Sequence, residues 1–397
     1  MLLNRERALA LMDKYGLSAL IATTPDNVTY LSDFTCQNAR LYRHVDVFAI
    51  LPRREDISPT LIVIMMDAPN IADGASWMEE VRTYGRSFIC LPEGLIPQGS
   101  EVRLMEILKA SELNSPNSAE ALCKAIEDKG LAKEKVGLDE VGIGHRLWGL
   151  LQERFPEAQF VEASEIFREI QFVKTEEEIA RLRKGAEINE AAVEEVVGKI
   201  AVGVTEAELA QLYREALARR GAELDFWNTG GGRRSGGFFP SGDYALRPGD
   251  LYRFDAGCCF RRYHADGGGV AVLGEPTARQ RELYEAISAG MEAALEIARP
   301  GTTYAELFNA AVGAVKAKGI KNYDRLRSDC GHGIGIEARH PNVSRDNTVP
   351  LEENMVVNIE VPYYEAGFGG VQKEYSLLIT RNGFELLVPL ERKMIVV

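Results

Sequence analysis

The sequence predicts an α+β chain in two domains: a small α/β domain over residues 1–170, then a larger one over 171–397 built as a curved antiparallel sheet backed by four helices. Two observations carry this. The stretch Phe167–Lys174, inside "FREIQFVKTEEEIARLRKG", marks a change of style from short mixed elements to long helices with legible starts. Beyond it the elements run as two helices, a strand block, two helices and a second strand block, an order that suggests two pseudo-symmetric halves.

In the first domain, "MLLNRERALALMDKYG" reads as a short amphipathic helix, charged throughout and unlike a signal peptide. "LSALIAT", "DVFAILP" and "TLIVIMM" are short apolar runs of strand length. "SPNSAEALCKAIEDKG" is a helix with Gly130 at its end. In the second domain Thr175 with Glu178, Thr205 with Glu208, Thr277 with Gln280 and Thr303 with Glu306 each spell a capping box. Ile179, Leu182, Ala186, Val193, Val196, Val197 and Ile200 form an apolar stripe along the first of these helices. The strand blocks are expected over about 224–273 and 329–388.

Composition narrows the function. At 46% hydrophobic and 26% charged the chain is of ordinary globular type, and a net charge of −13 argues against nucleic acid or an anionic membrane as its partner. No stretch approaches the ~20 apolar residues of a membrane span. Six cysteines without framework or C-x-x-C spacing point to a reduced, cytoplasmic protein.

The chemistry lies in the strand blocks. "GDLYRFDAGCCFRRYHADGGG" reads as a hairpin, with Asp255 inside an apolar strand and Asp266 at the end of the returning one. Either aspartate alone could cap a turn. A carboxylate inside an apolar strand, however, is costly unless something compensates it. The second block repeats the anomaly with Glu360 in "NMVVNIEVPYY" and Glu374 in "GGVQKEYSLLIT", and His332 precedes both in a glycine-rich turn. Four carboxylates and one imidazole suit two divalent cations: the hard oxygens suit Mn²⁺, Co²⁺ or Mg²⁺, the imidazole admits Zn²⁺ or Fe²⁺, and Mn²⁺ is the first expectation. Two such ions can share a bridging hydroxide.

On these residues the chain resembles the creatinase/prolidase/methionine-aminopeptidase superfamily, the M24-type pita-bread metallopeptidases. "PDNVTYLSDF" and "FVKTEEEIARLRKGAEI" resemble its Xaa-Pro dipeptidase branch. The resemblance implies a creatinase/prolidase-like first domain and a pita-bread second domain. It also implies metal ligation by Asp255, Asp266, His332, Glu360 and Glu374, with Asp266 and Glu374 bridging. The implied reaction is hydrolysis of Xaa-Pro dipeptides, or of short peptides with proline second, with Glu360 moving the proton. The implied assembly is a homodimer acting on small peptides. Creatinase-like or ectoine-hydrolase-like C–N hydrolysis and a DMSP lyase reaction are the alternatives on the same fold. A non-catalytic binding protein is disfavoured by the complete ligand set.

Three departures bear on substrate. The loop "GGGRRSGGFFPSGDYALRPGD" has no histidine where the family usually carries one, the family's Asp-x-Thr-Arg reads Asp266-Gly-Gly-Gly, and Gln372 stands in place of an arginine. Arg339, His340 and His264 are the candidate replacements around the substrate, and Tyr364 stands where the family keeps a tyrosine near it. Arg233, Arg234, Arg43 and His44 are further candidates for meeting a substrate carboxylate. A nucleotide-binding glycine loop is disfavoured, because no helix-opening Lys-Ser/Thr follows.

Overall fold

A computed structural model describes all residues except Arg43, Ser111, Glu112 and Ala338, so the Arg43 expectation lies outside the described residues. Contacts divide the chain into two units, Met1–Gln171 and Phe172–Val397.

The first unit carries one seven-stranded mixed sheet. Its strands are β1 (Ala19–Ala22), β2 (Phe48–Pro52), β3 (Thr60–Ile64), β4 (Glu80–Tyr84), β5 (Asn114–Ser115), β6 (Lys135–Leu138) and β7 (Gln159–Glu162), in the order β5-β4-β3-β2-β1-β6-β7. The three apolar runs singled out in the sequence are β1, β2 and β3, and the helix expected before Gly130 spans Ser118–Asp128. Ala121, Leu122, Ala125 and Ile126 on that helix pack with Ile21, Ile50 and Ile62 of the sheet. "PDNVTYLS" is a helix opened by Thr24, whose hydroxyl accepts from Asn27 N. Asp139 gathers this start: its Oδ2 accepts from Thr24 N and from the Asn27 carboxamide, and its Oδ1 from Ser164 Oγ.

The second unit has two antiparallel arrays, each backed by one helix pair. Strands β8 (Glu223–Gly231), β9 (Leu251–Phe260) and β10 (Tyr263–Val272) form the first array; the second is built from β11 (Asp329–Gly333), β12 (Asn342–Ser344), β13 (Val356–Glu360), β16 (Glu374–Thr380) and β17 (Gly383–Leu386). The two short strands β14 (Tyr363–Glu365) and β15 (Gly369–Val371) pair with each other, and β18 (Ile395–Val396) adds to β10 in parallel.

The strands obey the period of two. On β9 and β10, Tyr252, Phe254, Ala256, Cys258, Ala265 and Ala271 join a core with the helices Glu176–Val197 and Glu206–Arg219. On β13 and β16, Val357, Ile359, Leu377 and Ile379 join a second core with the helices Ala278–Ile297 and Tyr304–Ala317. The residues between these apolar positions therefore point to the opposite faces, and they include Asp255, Asp266, Glu360 and Glu374. Ser376 Oγ on β16 reaches the Asp266 carbonyl on β10 at 3.4 Å, which brings the two polar faces together.

All four capping boxes form, each with both reciprocal hydrogen bonds. They fix where each helix starts, and so how its apolar stripe meets the sheet. Two placements differ from the sequence reading. Asp266 is the fourth residue of the ten-residue strand β10 rather than its end, and His332 lies in strand β11 rather than in a turn. The glycine run around Arg233 and Arg234 continues β8 and then turns through Gly232–Gly236. Arg234 there pairs with the fully buried Glu206 at 3.0 Å, which also accepts from Gly231 N. A substrate role for Arg234 is therefore replaced by a structural one: it neutralises a buried carboxylate. Among the described residues, no helix is long and apolar enough to cross a membrane.

The cap energetics are testable. Thr303 Oγ accepts from Glu306 N at 3.2 Å, and Glu306 returns a carboxylate to Thr303 N at 2.7 Å. Thr303→Ala should lower unfolding free energy by ~1 kcal/mol, the usual worth of such a cap. Urea unfolding followed by circular dichroism checks this, and an unchanged midpoint would show that the cap contributes nothing.

Candidate metal centre

Register builds the site. In the β9–β10 hairpin Asp255 lies opposite Gly268 and Asp266 opposite Gly257, so the two aspartates are diagonal neighbours on one face. In the second array Glu360 lies directly opposite Glu374, and His332, Asn358 and Ser376 form the adjacent row across β11, β13 and β16. Asp255, Asp266 and Glu374 bring one oxygen each within 4.8 Å of one another, and all three are buried. His332 Nε2 stands 3.4 Å from Asp266 Oδ2. Its Nδ1 is 3.0 Å from the Gly333 carbonyl, a contact that takes an N–H there and turns Nε2 toward the carboxylates. Glu360 is half-buried beside them, with the Arg327 guanidinium 3.5 Å from its Oε1.

Two glycines allow these approaches. A Cβ at Gly268 would lie 2.2 Å from Glu374 Oε2 and 2.3 Å from Gln372 Nε2. The position where the resemblance leads one to expect threonine is thus space occupied by the Gln372 carboxamide. Gly331, before His332, has φ +122° and would set a Cβ 2.0 Å from the Asn358 carbonyl, so β11 meets β13 closely only as glycine.

The electrostatics call for a cation. Two carboxylates ~5 Å apart repel by about 3 kcal/mol at an effective dielectric of about 20. Burial, and then the charge of Glu360, push the Asp255 carboxyl up to about 6. Burial and the neighbouring carboxylates hold Asp266 and Glu374 well above the usual range. Asp266 Oδ1 is buried with no hydrogen-bond partner among the described residues. Crowded carboxylates, an oxygen without a donor and an imidazole nitrogen aimed at them fit divalent cations. The same set without a cation would hold a proton instead.

The surrounding candidates separate. His264, two residues before Asp266 and on the same face, has its Nδ1 2.7 Å from Asp225 Oδ2. Asp225 was not singled out in the sequence: it is the extra residue of a bulge in β8, where Leu224 pairs with Cys258 and Phe226 with Gly257. Such a bulge re-aims the side chain, and no local sequence signal announces it. The hydrogen bond from His264 holds Asp225 below the usual carboxylate range. Arg339, at φ +99°, sets its guanidinium over the Phe226 ring, 5.4 Å from the centroid, and its charge bears on Asp255, Asp266 and Asp225. His340 stacks on Phe172 at 5.6 Å. The Tyr364 hydroxyl is 3.4 Å from Gln372 Oε1. His44 lies in the first unit, its ring 5.9 Å from that of Tyr42.

Comparison with known proteins agrees with this architecture. Metallopeptidase family M24 matches residues 180–381, and the creatinase/prolidase N-terminal domain matches residues 4–173. A Xaa-Pro dipeptidase of Pyrococcus horikoshii is 32% identical over 269 residues, covering 65% of this chain and 76% of that protein. The crystal structure of the prolidase from the same organism superposes with a TM-score of 0.77 at 24% identity, over 98% of this chain and 99% of that one. An X-Pro aminopeptidase from Thermotoga maritima gives 0.77 at 25% identity, over 98% of this chain and 100% of that one. With a matching profile on each unit and these carboxylates at the meeting of its polar faces, the chain belongs to metallopeptidase family M24.

Proposed function

We propose that the chain is a metal-dependent peptidase that hydrolyses Xaa-Pro dipeptides, or short peptides with proline second, with two divalent cations held by Asp255, Asp266, His332, Glu360 and Glu374. The observation that carries this reading is the buried trio Asp255, Asp266 and Glu374, three carboxylates within 4.8 Å that need a cation, in a chain of this family. The Xaa-Pro dipeptidases among its relatives support the substrate class. Bound there, divalent cations polarise the scissile carbonyl and supply a nucleophilic water at neutral pH. Manganese is the first-choice ion, since hard carboxylate oxygens outnumber the one imidazole. Residence in the cytoplasm and a homodimeric assembly are supported by composition and family resemblance.

The chain's own groups then have defined work. Glu360, on the open side of the set, accepts the proton and delivers it to the leaving imino nitrogen. Arg327 beside it restrains that carboxylate. His264, oriented by Asp225, offers Nε2 on the Asp266 face as a hydrogen-bond partner for the substrate. Arg339 adds positive charge at the same mouth, suited to a carboxylate or a developing oxyanion.

Manganese- or cobalt-loaded protein should cleave Ala-Pro. Bound metal without turnover across a Xaa-Pro panel, especially if creatine or ectoine is consumed instead, would sink the peptidase reading. Glu374→Ala should remove both metal equivalents and lower kcat/KM on the order of 10³-fold, ~4 kcal/mol of barrier. Metal analysis together with kinetics checks this, and full metal retention would overturn the ligand assignment. Metal stabilisation should also depend on pH. The Asp255 carboxyl rises from 3.8 to about 6 in the metal-stripped fold, so its contribution is present below 3.8 and lost as pH rises through about 6. A cation replaces that proton, so the gap in melting temperature between loaded and stripped protein should be wider at pH 8 than at pH 5. Equal gaps by scanning calorimetry would contradict it.

A further inference from the structure

Arg253 lies two residues before Asp255 on β9, and its guanidinium is 0% exposed. A buried cation is tolerated only where its donors are met. Nε donates to the Ser235 carbonyl at 2.9 Å and Nη2 to the Gly237 carbonyl at 3.0 Å. Nη1 donates to Gln372 Oε1 at 3.0 Å and stands 3.8 Å from Asp255 Oδ2. The rings of Phe238 and Tyr364 lie 5.3 and 5.0 Å from the guanidinium carbon.

The consequence reaches the candidate ligands. A guanidinium only donates, whereas a carboxamide has one accepting and one donating end. Gln372 must therefore turn its oxygen to Arg253, which leaves its Nε2 facing Glu374 Oε2 at 2.8 Å. The other oxygen of Glu374 accepts from the Asn358 carboxamide. Both carboxylate oxygens thus carry an amide donor, and one of those donors is aimed by Arg253. Without the guanidinium, the Gln372 oxygen keeps only the Tyr364 hydroxyl at 3.4 Å, and the carboxamide loses the anchor that holds its Nε2 on Glu374. The space that lets it reach Glu374 is the missing side chain of Gly268.

We propose that Arg253 is a positioning residue for the metal centre: it orients Gln372, which holds Glu374 in its ligating pose, and it ties that pose to the segment 235–238. The inference rests on the metal-centre reading above but not on the identity of the substrate. Its path runs from the segment carrying Phe238, through the guanidinium and the carboxamide, to Glu374.

The test uses the full chain, stripped with chelator and titrated with Co²⁺ by calorimetry and visible absorption, alongside kcat and KM for Ala-Pro. Arg253→Met and Gln372→Met should each weaken cobalt binding by about tenfold or more and shift the absorption bands. The double variant should be no worse than either single, because both act through one chain of contacts. Arg253→Lys, which keeps one donor, should recover part of the affinity. Arg253→Met and Gln372→Met should both lower kcat with KM little changed, since each acts on the pose of Glu374. Unchanged cobalt affinity and spectrum in Arg253→Met, or effects that add in the double variant, overturn the proposal. If Arg253→Met does not fold, Arg253→Lys decides: cobalt binding between that of the parent and that of Gln372→Met upholds the proposal, and parent-like binding overturns it. A parent that binds cobalt without cleaving Xaa-Pro peptides fails the peptidase reading alone, and the cobalt comparison still decides this inference. A parent that binds no cobalt overturns both.

Discussion

The second unit depends on a repulsion. Three carboxylates share a space under 4.8 Å across, shielded from water, and a fourth stands beside them. At about 3 kcal/mol per close pair, the repulsion is comparable with the whole net stability of a domain, ~5–15 kcal/mol. A fold that places them there needs a rigid frame and a counter-charge. The frame is the pair of helix-backed arrays, each with one face committed to an apolar core. The guanidinium groups of Arg253 and Arg327 stand at the edges of the cluster, and the space between its carboxylates fits a divalent cation.

The two halves contribute unequally to this centre. The β9–β10 hairpin offers aspartates, whose short side chains keep the oxygens close to the strand, and the second array offers glutamates and a histidine that reach further. Gly268 on one side and Gln372 on the other show how closely the faces fit: the absent side chain of one is the volume used by the other. Either residue read alone looks like a loss against the family pattern. In the folded chain they form one contact.

Legibility followed locality. A capping box spans four residues and carries its own hydrogen bonds, so all four helix starts could be read from the sequence and all four form. Carboxylates inside apolar strands were legible because burial makes an uncompensated charge costly wherever it occurs. Strand ends were less so: nothing local told that β10 runs six residues beyond Asp266, since "GGGVAV" spells glycine before it spells strand. Asp225 was illegible because a bulge is a property of two strands in register, and Arg327 because its partner Glu360 is more than thirty residues away. Arg253 was not singled out in the sequence, and the three carbonyl oxygens around it are what show that it is held inside.

The side of the site that carries His264 and Arg339 follows from the same frame. The loop where the resemblance leads one to expect a histidine instead holds Phe238 over Arg253, and the imidazole nearest the carboxylates in sequence is His264, on a strand. A strand position leaves an imidazole little freedom, and Asp225 removes more of it by fixing the Nδ1 side. Arg339 reaches the same mouth from a backbone at φ +99°, a conformation unfavourable for a side-chain-bearing residue and retained only where neighbours impose it. Its guanidinium rests on Phe226, the residue that follows the bulged Asp225. One irregularity in β8 therefore sets both the acid that orients His264 and the ring that carries Arg339. His264 and Arg339 are thus coupled to each other through β8, as Glu374 is coupled to the segment 235–238 through Arg253.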